Sequence, residues 1–341
     1  MIEEVTLSNY GLQKYIEWNN LGNINLIIGE NSSGKTFVLK SIYTALKTLE
    51  QYKKGQEVKG LSGILAEKLY WTFQVDRLGD LVKKGENTLS FSMQENKDSF
   101  SYEFGKGTEH QISKISSTYT SSRDKTSIFI PAKEVLSLFQ IILKSREQDA
   151  MFGFDDTYLD LVRALQRPPM QGKNFASFSK GRKKLEEIIH GKIVYDTTSG
   201  QWYFKRGNTK FPIGITSEGI KKIAIFNRLL SNRYLSNHSI IFIDELEASL
   251  HPKAISDYVD MIFELAQSGI QFFIATHSYF VIKKMCILSK AYNMPIPVLS
   301  LSADAIPIYE NMLDGMPDNS IIDEAVRLYK EEVDIALGDT L

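Results

Sequence analysis

Eight consecutive residues constrain this chain more than any other stretch: Gly29-Glu30-Asn31-Ser32-Ser33-Gly34-Lys35-Thr36. They follow a short apolar run, Ile24 to Ile28, which reads as a strand buried on both faces of a sheet. They precede Lys35 to Tyr52, where Val38, Leu39, Ile42, Ala45, Leu46 and Leu49 recur at helical spacing. Strand, glycine-bearing loop and helix in this order satisfy the pattern G-x-x-x-x-G-K-[ST]. The glycines let the backbone curl so that successive N–H groups point at β- and γ-phosphates. Lys35 adds a point charge, Thr36 offers a hydroxyl to Mg²⁺, and the helix aims its positive end at the same place. Gly29, Asn31, Ser32, Ser33, Gly34, Lys35 and Thr36 are therefore expected to bind ATP or GTP.

Three further segments extend that reading. Ser239 to Glu245 (SIIFIDE) is an apolar strand from which Asp244 emerges at the C-terminal end, where α/β sheets bind ligands. Asp244 is expected to hold Mg²⁺ with Thr36, and the adjacent Glu245 to polarise a water for attack on the γ-phosphate. Thr276-His277-Ser278 follows a second apolar strand, so His277 also stands at a strand's C-terminal edge, within reach of a γ-phosphate. Ser217-Glu218-Gly219 opens a helix, and a serine with a glycine there favours an anion. On residues alone, His277 is equally well explained as a solvent-facing or capping histidine, and Ser217-Glu218-Gly219 is more often just a helix cap.

Between these segments the pattern changes. Thr88 to Gln94 and Ser99 to Phe104 alternate in period two, with Leu89, Phe91 and Met93, then Phe100, Tyr102 and Phe104, on one face. That predicts half-buried antiparallel strands, with the aromatics in sheet packing rather than a base-stacking platform. From Ala132 to about His190 the chain reads as helical, broken at Arg167-Pro168-Pro169 and Gly172. Residues 132–190 are expected to form an inserted helical lobe, between an N-terminal part (1–131) and a C-terminal part (191–341) of one head. The C-terminal part alternates strand and helix, which implies a parallel sheet with helices on both faces. The final helix, Ser320 to Leu337, reads as an ordinary packed surface helix.

Composition sets outer limits. Lys plus Arg is 40 against 41 Asp plus Glu, so nucleic-acid contact would need a local patch. One such patch is Lys180, Arg182, Lys183 and Lys184, although Glu186 and Glu187 can neutralise it as a solvated helix face. Hydrophobic residues at 43% supply a sizeable core and exclude intrinsic disorder. The single cysteine, Cys286, excludes a disulfide framework or thiolate zinc site and reads as core. No apolar run is long enough for a membrane helix, and the acidic start carries no signal segment, so a soluble, cytoplasmic protein is expected.

In their order along the chain, the P-loop, Ser217-Glu218-Gly219, the Asp244-Glu245 strand, Ala248-Ser249-Leu250-His251 and Thr276-His277-Ser278 resemble an ABC-type ATPase head. More specifically the chain is similar to the RecF-like and OLD-like branch of AAA family ATPases. The resemblance is close over Met1 to Thr48 and Lys192 to Ser278, and loose between. It implies a P-loop α/β head with a mixed parallel core sheet, an antiparallel β subdomain and the helical insertion. It also implies that Ser217 and Gly219 belong to the signature loop, Asp244 and Glu245 to the Walker B pair, Ala248 to His251 to the D-loop, and that His277 is the switch histidine. Two chains would then sandwich ATP and Mg²⁺, with Ser217 and Gly219 of one meeting the γ-phosphate held by Lys35 and Thr36 of the other. Ser32 stands where the family usually has glycine in the P-loop, Leu246 where it commonly has proline, and Glu218 at the signature's first glycine. Gln74, Gln94 and Gln111 are equal candidates for the Q-loop glutamine.

The segment from Thr36 to Ser217 is too short, and too poor in heptads, for a long coiled-coil repair or cohesin-type ATPase. Too few residues follow His277 for the Toprim nuclease domain of the OLD family; Asp304, Asp314 and Asp318 read as turn residues. A transporter head would carry a fuller signature. The expectation is a slow, regulatory ATPase that dimerises around ATP and controls a separately encoded effector, a nuclease or toxin, in prokaryotic antiviral defence. The alternative is a RecF-like DNA-repair clamp, with nucleic acid as its partner.

Overall fold

The computed structural model describes residues 1–170, 176–302 and 306–337. In chain order its strands and helices begin with β1 (Ile2–Tyr10), β2 (Gln13–Trp18), β3 (Ile24–Gly29), α1 (Lys35–Gln51) and α2 (Leu61–Phe73). There follow β4 (Thr88–Glu95), β5 (Asp98–Gly105), β6 (Lys114–Ser117), β7 (Ser127–Ile130), α3 (Phe139–Leu143), α4 (Asp156–Gln166) and α5 (Ala176–Ile189). The remainder is β8 (Lys192–Asp196), β9 (Gln201–Arg206), β10 (Thr209–Pro212), α6 (Glu218–Ser231), β11 (Ile240–Asp244), α7 (Pro252–Gln267), β12 (Gln271–Thr276), α8 (Tyr279–Tyr292), β13 (Pro297–Leu301), β14 (Ile308–Asn311) and α9 (Ser320–Leu337).

The central sheet has the order β14-β13-β3-β12-β11-β7. β13, β3, β12, β11 and β7 run parallel, and β14 closes one edge antiparallel. All residues of β3, β11 and β12 are buried, as expected of strands covered on both faces. Their side chains alternate between two cores. Leu26, Ile28, Ile241, Ile243, Phe272 and Ile274 join α4, α6, α7 and α8 on one side. Ile27, Phe242, Phe273 and Ala275 join α1 and the antiparallel sheet β2-β1-β4-β5-β6 on the other. Phe91, Phe100, Tyr102 and Phe104 are buried in that second core, so the period-two aromatics do pack the sheet. A smaller antiparallel sheet, β10-β9-β8, is not hydrogen-bonded to the other two, but its Ile193, Trp202 and Phe204 pack into the first core.

Among the described residues of 132–190, α3, α4 and α5 are helical, and Leu161, Val162, Leu165, Phe178 and Leu185 belong to the same core as the central sheet. Gly172, one of the breaks expected there, lies outside the described residues. α9 differs from a packed surface helix: none of its residues is buried, and Tyr329 is 66% exposed. Only Ile321 and Ile322, at its start, rest on the core. Among the described residues no helix is long and apolar enough to cross a membrane. Cys286 is buried in α8.

Candidate functional site

The P-loop is shaped by close approaches that only particular residues tolerate. Gly29 ends β3 with φ at +148°, and a Cβ on it would stand 2.1 Å from the Leu301 carbonyl oxygen of the paired strand β13. Gly34 has φ at +95°, and a Cβ there would meet Gln13 Nε2 at 2.6 Å. Ser32, at the position usually taken by glycine, accepts a left-handed φ of 64°. Asn31 and Ser32 are exposed, while Ser33 and Lys35 are buried.

Lys35 turns back into the loop. Its Nζ donates to the carbonyls of Gly29 (2.8 Å) and Glu30 (2.6 Å). Burial pushes its pKa down, against the raising influence of Asp244, Glu245 and Glu247. Thr36 Oγ1 lies 2.9 Å from both carboxylate oxygens of Asp244. Burial pushes the Asp244 carboxyl up, partly offset by the Thr36 bond. β3 and β11 flank β12, which brings the P-loop and Walker B residues to the same edge of the sheet.

Two observations test whether a triphosphate and a divalent cation fit. Ser33 Oγ is buried with no hydrogen-bond partner, and the N-terminus of α1 has no side-chain cap. Both leave polar groups for phosphate oxygens. Thr36 and Asp244 supply only two side chains toward a cation, and no cluster of three metal-binding side chains occurs among the described residues. That suits Mg²⁺, which completes an octahedron with water and phosphate oxygens. The donor set fits both groups.

Glu245 follows β11 with a left-handed φ of 48°, and its side chain is 39% exposed. His277 Nδ1 stands 4.0 Å from Glu245 Oε1 and 3.5 Å from Glu247 Oε1. Glu247, which sequence reasoning did not single out, fixes this corner. It accepts from Thr276 Oγ1 at 2.7 Å and from the His277 main-chain N–H at 2.9 Å. Leu246, in place of proline, is wholly buried in the core.

Ser217 is the exposed N-cap residue of α6, yet its side chain makes no capping bond. Gly219 is buried two residues on, and a Cβ there would stand 2.7 Å from the Ser249 carbonyl oxygen. The loop expected as the signature thus rests on the turn expected as the D-loop, where Ser249 has φ at 63°. His251 ends that turn as N-cap of α7, its Nδ1 accepting from Lys253 N–H at 3.2 Å. Glu218 pairs with Lys221 at 3.1 Å. The next residue, Lys222, reaches inward to the main-chain oxygens of Asp244 (3.4 Å) and Glu245, and burial pushes its pKa down to about 8.

The three Q-loop candidates do not converge here. Gln74 caps α2 and accepts from Gly153 N–H at 3.3 Å; Gln94 donates to the Asn96 carbonyl at 2.6 Å within the antiparallel sheet; Gln111 is exposed. The glutamine hydrogen-bonded to the P-loop is Gln13, buried, whose Nε2 donates to the Ser33 carbonyl at 2.7 Å. It comes from β2, and nothing in the sequence links it to the loop.

Two carboxylates face the four cations of the basic cluster. Lys180 and Lys184 each lie 3.4 Å from Glu264, and Arg182 lies 3.7 Å from Glu186. Glu264 of α7 takes the part that Glu187 was expected to share. The Asp314 N–H closes a turn onto the Asn311 carbonyl, the Asp318 N–H donates to Glu310 Oε1 at 2.8 Å, and Asp304 lies outside the described residues.

A mixed parallel sheet with this loop at one edge, beside an antiparallel sheet, defines a P-loop ATPase head of the ABC type. Among the solved structures that share that fold are two Smc heads. One is the Smc head bound to the C-winged helix domain of ScpA: 14% identity, 91% of this chain and 97% of that chain, TM-score 0.55. The other is the Smc head with an extended coiled coil bound to the C-terminal domain of ScpA, derived from Pyrococcus furiosus: 12% identity, 97% and 98% coverage, TM-score 0.51. The family model described as "AAA domain, putative AbiEii toxin, Type IV TA system" matches residues 24–283, and the chain belongs to that family. No curated protein matches the chain.

Proposed function

We propose that this protein is a slow ATPase that dimerises around ATP and Mg²⁺ and regulates a separately encoded effector in prokaryotic antiviral defence. The observation that carries the ATPase reading is the meeting of Lys35, Thr36, Asp244, Glu245 and His277 at one edge of the central sheet. Lys35 exchanges its carbonyl bonds for phosphate oxygens and neutralises their charge. Thr36 and Asp244 hold Mg²⁺, which when bound offsets the charge developing on the transferred group. Glu245 accepts a proton from the attacking water, and His277, kept in place by Glu247, donates toward the γ-phosphate.

The dimer reading draws on Ser217, whose hydroxyl is exposed and does not cap its own helix. With Gly219 it would complete the partner's site. The defence role draws on the family's description, which names a toxin–antitoxin system. The Smc head in complex with a winged-helix domain offers a precedent for a protein partner on such a head. The DNA-clamp reading was motivated by Lys180, Arg182, Lys183 and Lys184, and carboxylates pair three of those four.

Sedimentation velocity of Glu245→Gln with and without Mg-ATP is the test. The variant should bind ATP, hydrolyse none and double its mass; a monomer under both conditions refutes the sandwich. Affinity capture of the ATP-loaded variant from its native host should retain a stoichiometric protein. Retention of DNA alone would replace the defence reading with the clamp.

A further inference from the structure

Lys222 is 4% exposed, one helical turn beyond Gly219 on α6. Its ammonium forms no salt bridge among the described residues and donates instead to the carbonyls of Glu245 and Asp244. Both acceptors are main-chain, so the contact holds backbone geometry rather than matching a side-chain charge. The geometry it holds is strained: Glu245 has φ at 48°, in the left-handed region that non-glycine residues rarely adopt, and Ser249, further along the same turn, has φ at 63°. Such conformations persist where the surroundings over-determine them. At the other end of the same turn, Gly219 lies close enough to Ser249 and Leu250 that a Cβ would stand 2.7 and 3.0 Å from them. The first two turns of α6 are therefore fastened to both ends of the segment that carries Glu245.

We propose that Lys222 is a positioning residue, which holds the Glu245 carboxylate in its reactive direction and ties it to the helix whose start, Ser217 and Gly219, completes the partner's site. The inference rests on the ATP-sandwich reading above. Its consequence is coupling: engagement of α6 by the partner's nucleotide fixes the chain's own water-polarising group, so one loaded site prepares the other. The lysine stem fills buried space, so methionine preserves the packing while it removes the donor.

The experiment compares wild type, Lys222→Met and Lys222→Arg for affinity toward a fluorescent ATP analogue with Mg²⁺ and for kcat. A charged hydrogen bond contributes about 1.5–3 kcal/mol, so kcat should fall about 10–100-fold in the methionine variant. Nucleotide affinity should stay within about twofold, and arginine should restore part of the rate. Mixed dimers of one wild-type and one Ser217→Arg chain should keep well under half of the activity. Equal kcat for wild type and Lys222→Met, or parallel losses in affinity and rate that arginine does not relieve, overturns the proposal. So does half activity in the mixed dimers. A wild-type protein that binds no nucleotide refutes the sandwich reading itself, which separates the two failures.

Discussion

Replacing Glu95 by glutamine should lower stability at neutral pH and blunt the protein's response to acid. Glu95 is 3% exposed at the end of β4 and receives both arms of Arg123, Nε at 2.7 Å and Nη2 at 2.9 Å. Tyr119 donates a third bond at 2.7 Å, and Lys125 stands at 3.2 Å. Burial alone would push this carboxyl up, but Arg123, Tyr119 and Lys125 outweigh it and hold the pKa at about 2 against an ordinary 4.5. A depressed carboxylate stabilises the folded state fully above its unfolded pKa. That stabilisation is lost as pH falls from 4.5 toward 2. At about 1.4 kcal/mol per pH unit, the contribution is about 3 kcal/mol. The figure agrees with the roughly 3–5 kcal/mol lost when one partner of a buried pair is removed.

Urea unfolding followed by tryptophan fluorescence reads this directly, since the chain carries three tryptophans. At pH 7, Glu95→Gln should be less stable than wild type by about 3 kcal/mol. Near pH 2.5 the gap should shrink below about 1 kcal/mol, because protonation then does to wild type what the substitution did. Other carboxylates titrate in both proteins and cancel in the difference. A gap that stays constant from pH 7 to pH 3 would mean that Glu95 titrates alike folded and unfolded, and would refute the reasoning.

Two further outcomes follow from the nucleotide loop. Lys35→Ala removes a charged donor and should weaken ATP binding about 10–100-fold, measured with a fluorescent analogue, while thermal stability holds. Gly29→Ala places a Cβ 2.1 Å from the Leu301 oxygen, a backbone atom that cannot step aside, so β3 and β13 must part. Its melting temperature should drop by several degrees, with a loss of about 1–3 kcal/mol, and an unchanged melting curve would contradict the observed pairing.

Where the sequence was legible, a local rule and the tertiary fold agreed. INLII before a glycine loop, the apolar run ending in Asp244, and the 3-to-4 spacing after Lys35 each follow from contacts within one element. β13 escaped because its strand (PVLSL) opens on a proline and lies beyond the last motif, although it packs directly against the P-loop strand. α2 escaped because its sequence, LSGILAEKLYWTF, offers little polar face and opens beside Gly60. At the site, the motif residues were legible and their supports were not. Lys222 follows Lys221 and reads as a solvated face, yet it is buried by what α6 packs on. Gln13 and Glu247 act through main-chain groups contributed by other elements, which no spacing rule connects.

The supports are also distributed unequally around the nucleotide site. On the P-loop side, α1 carries a ladder of charged and polar contacts: Lys40 to Asp155 at 2.6 Å, Tyr43 to Asp160 at 2.8 Å, and Glu50 to the Ser127 N–H at 2.7 Å. Burial opposes the charge on Asp160, yet Lys68 and Lys47 hold its carboxyl below the usual range. Buried ion pairs of this kind add little net stability, but each rejects any register in which a partner is missing. α1 is thereby fixed to α4 and to β7 at several levels along its length. Among the described residues, α6 is hydrogen-bonded to the Glu245 turn through Lys222 alone, beside the close approach of Gly219 and the apolar packing of Leu246 and Leu250. A force applied through Ser217 by a neighbouring chain would meet its weakest resistance there. Movement on ATP binding should therefore fall on the signature helix and the Glu245 turn, while the P-loop and the helix behind it stay in place.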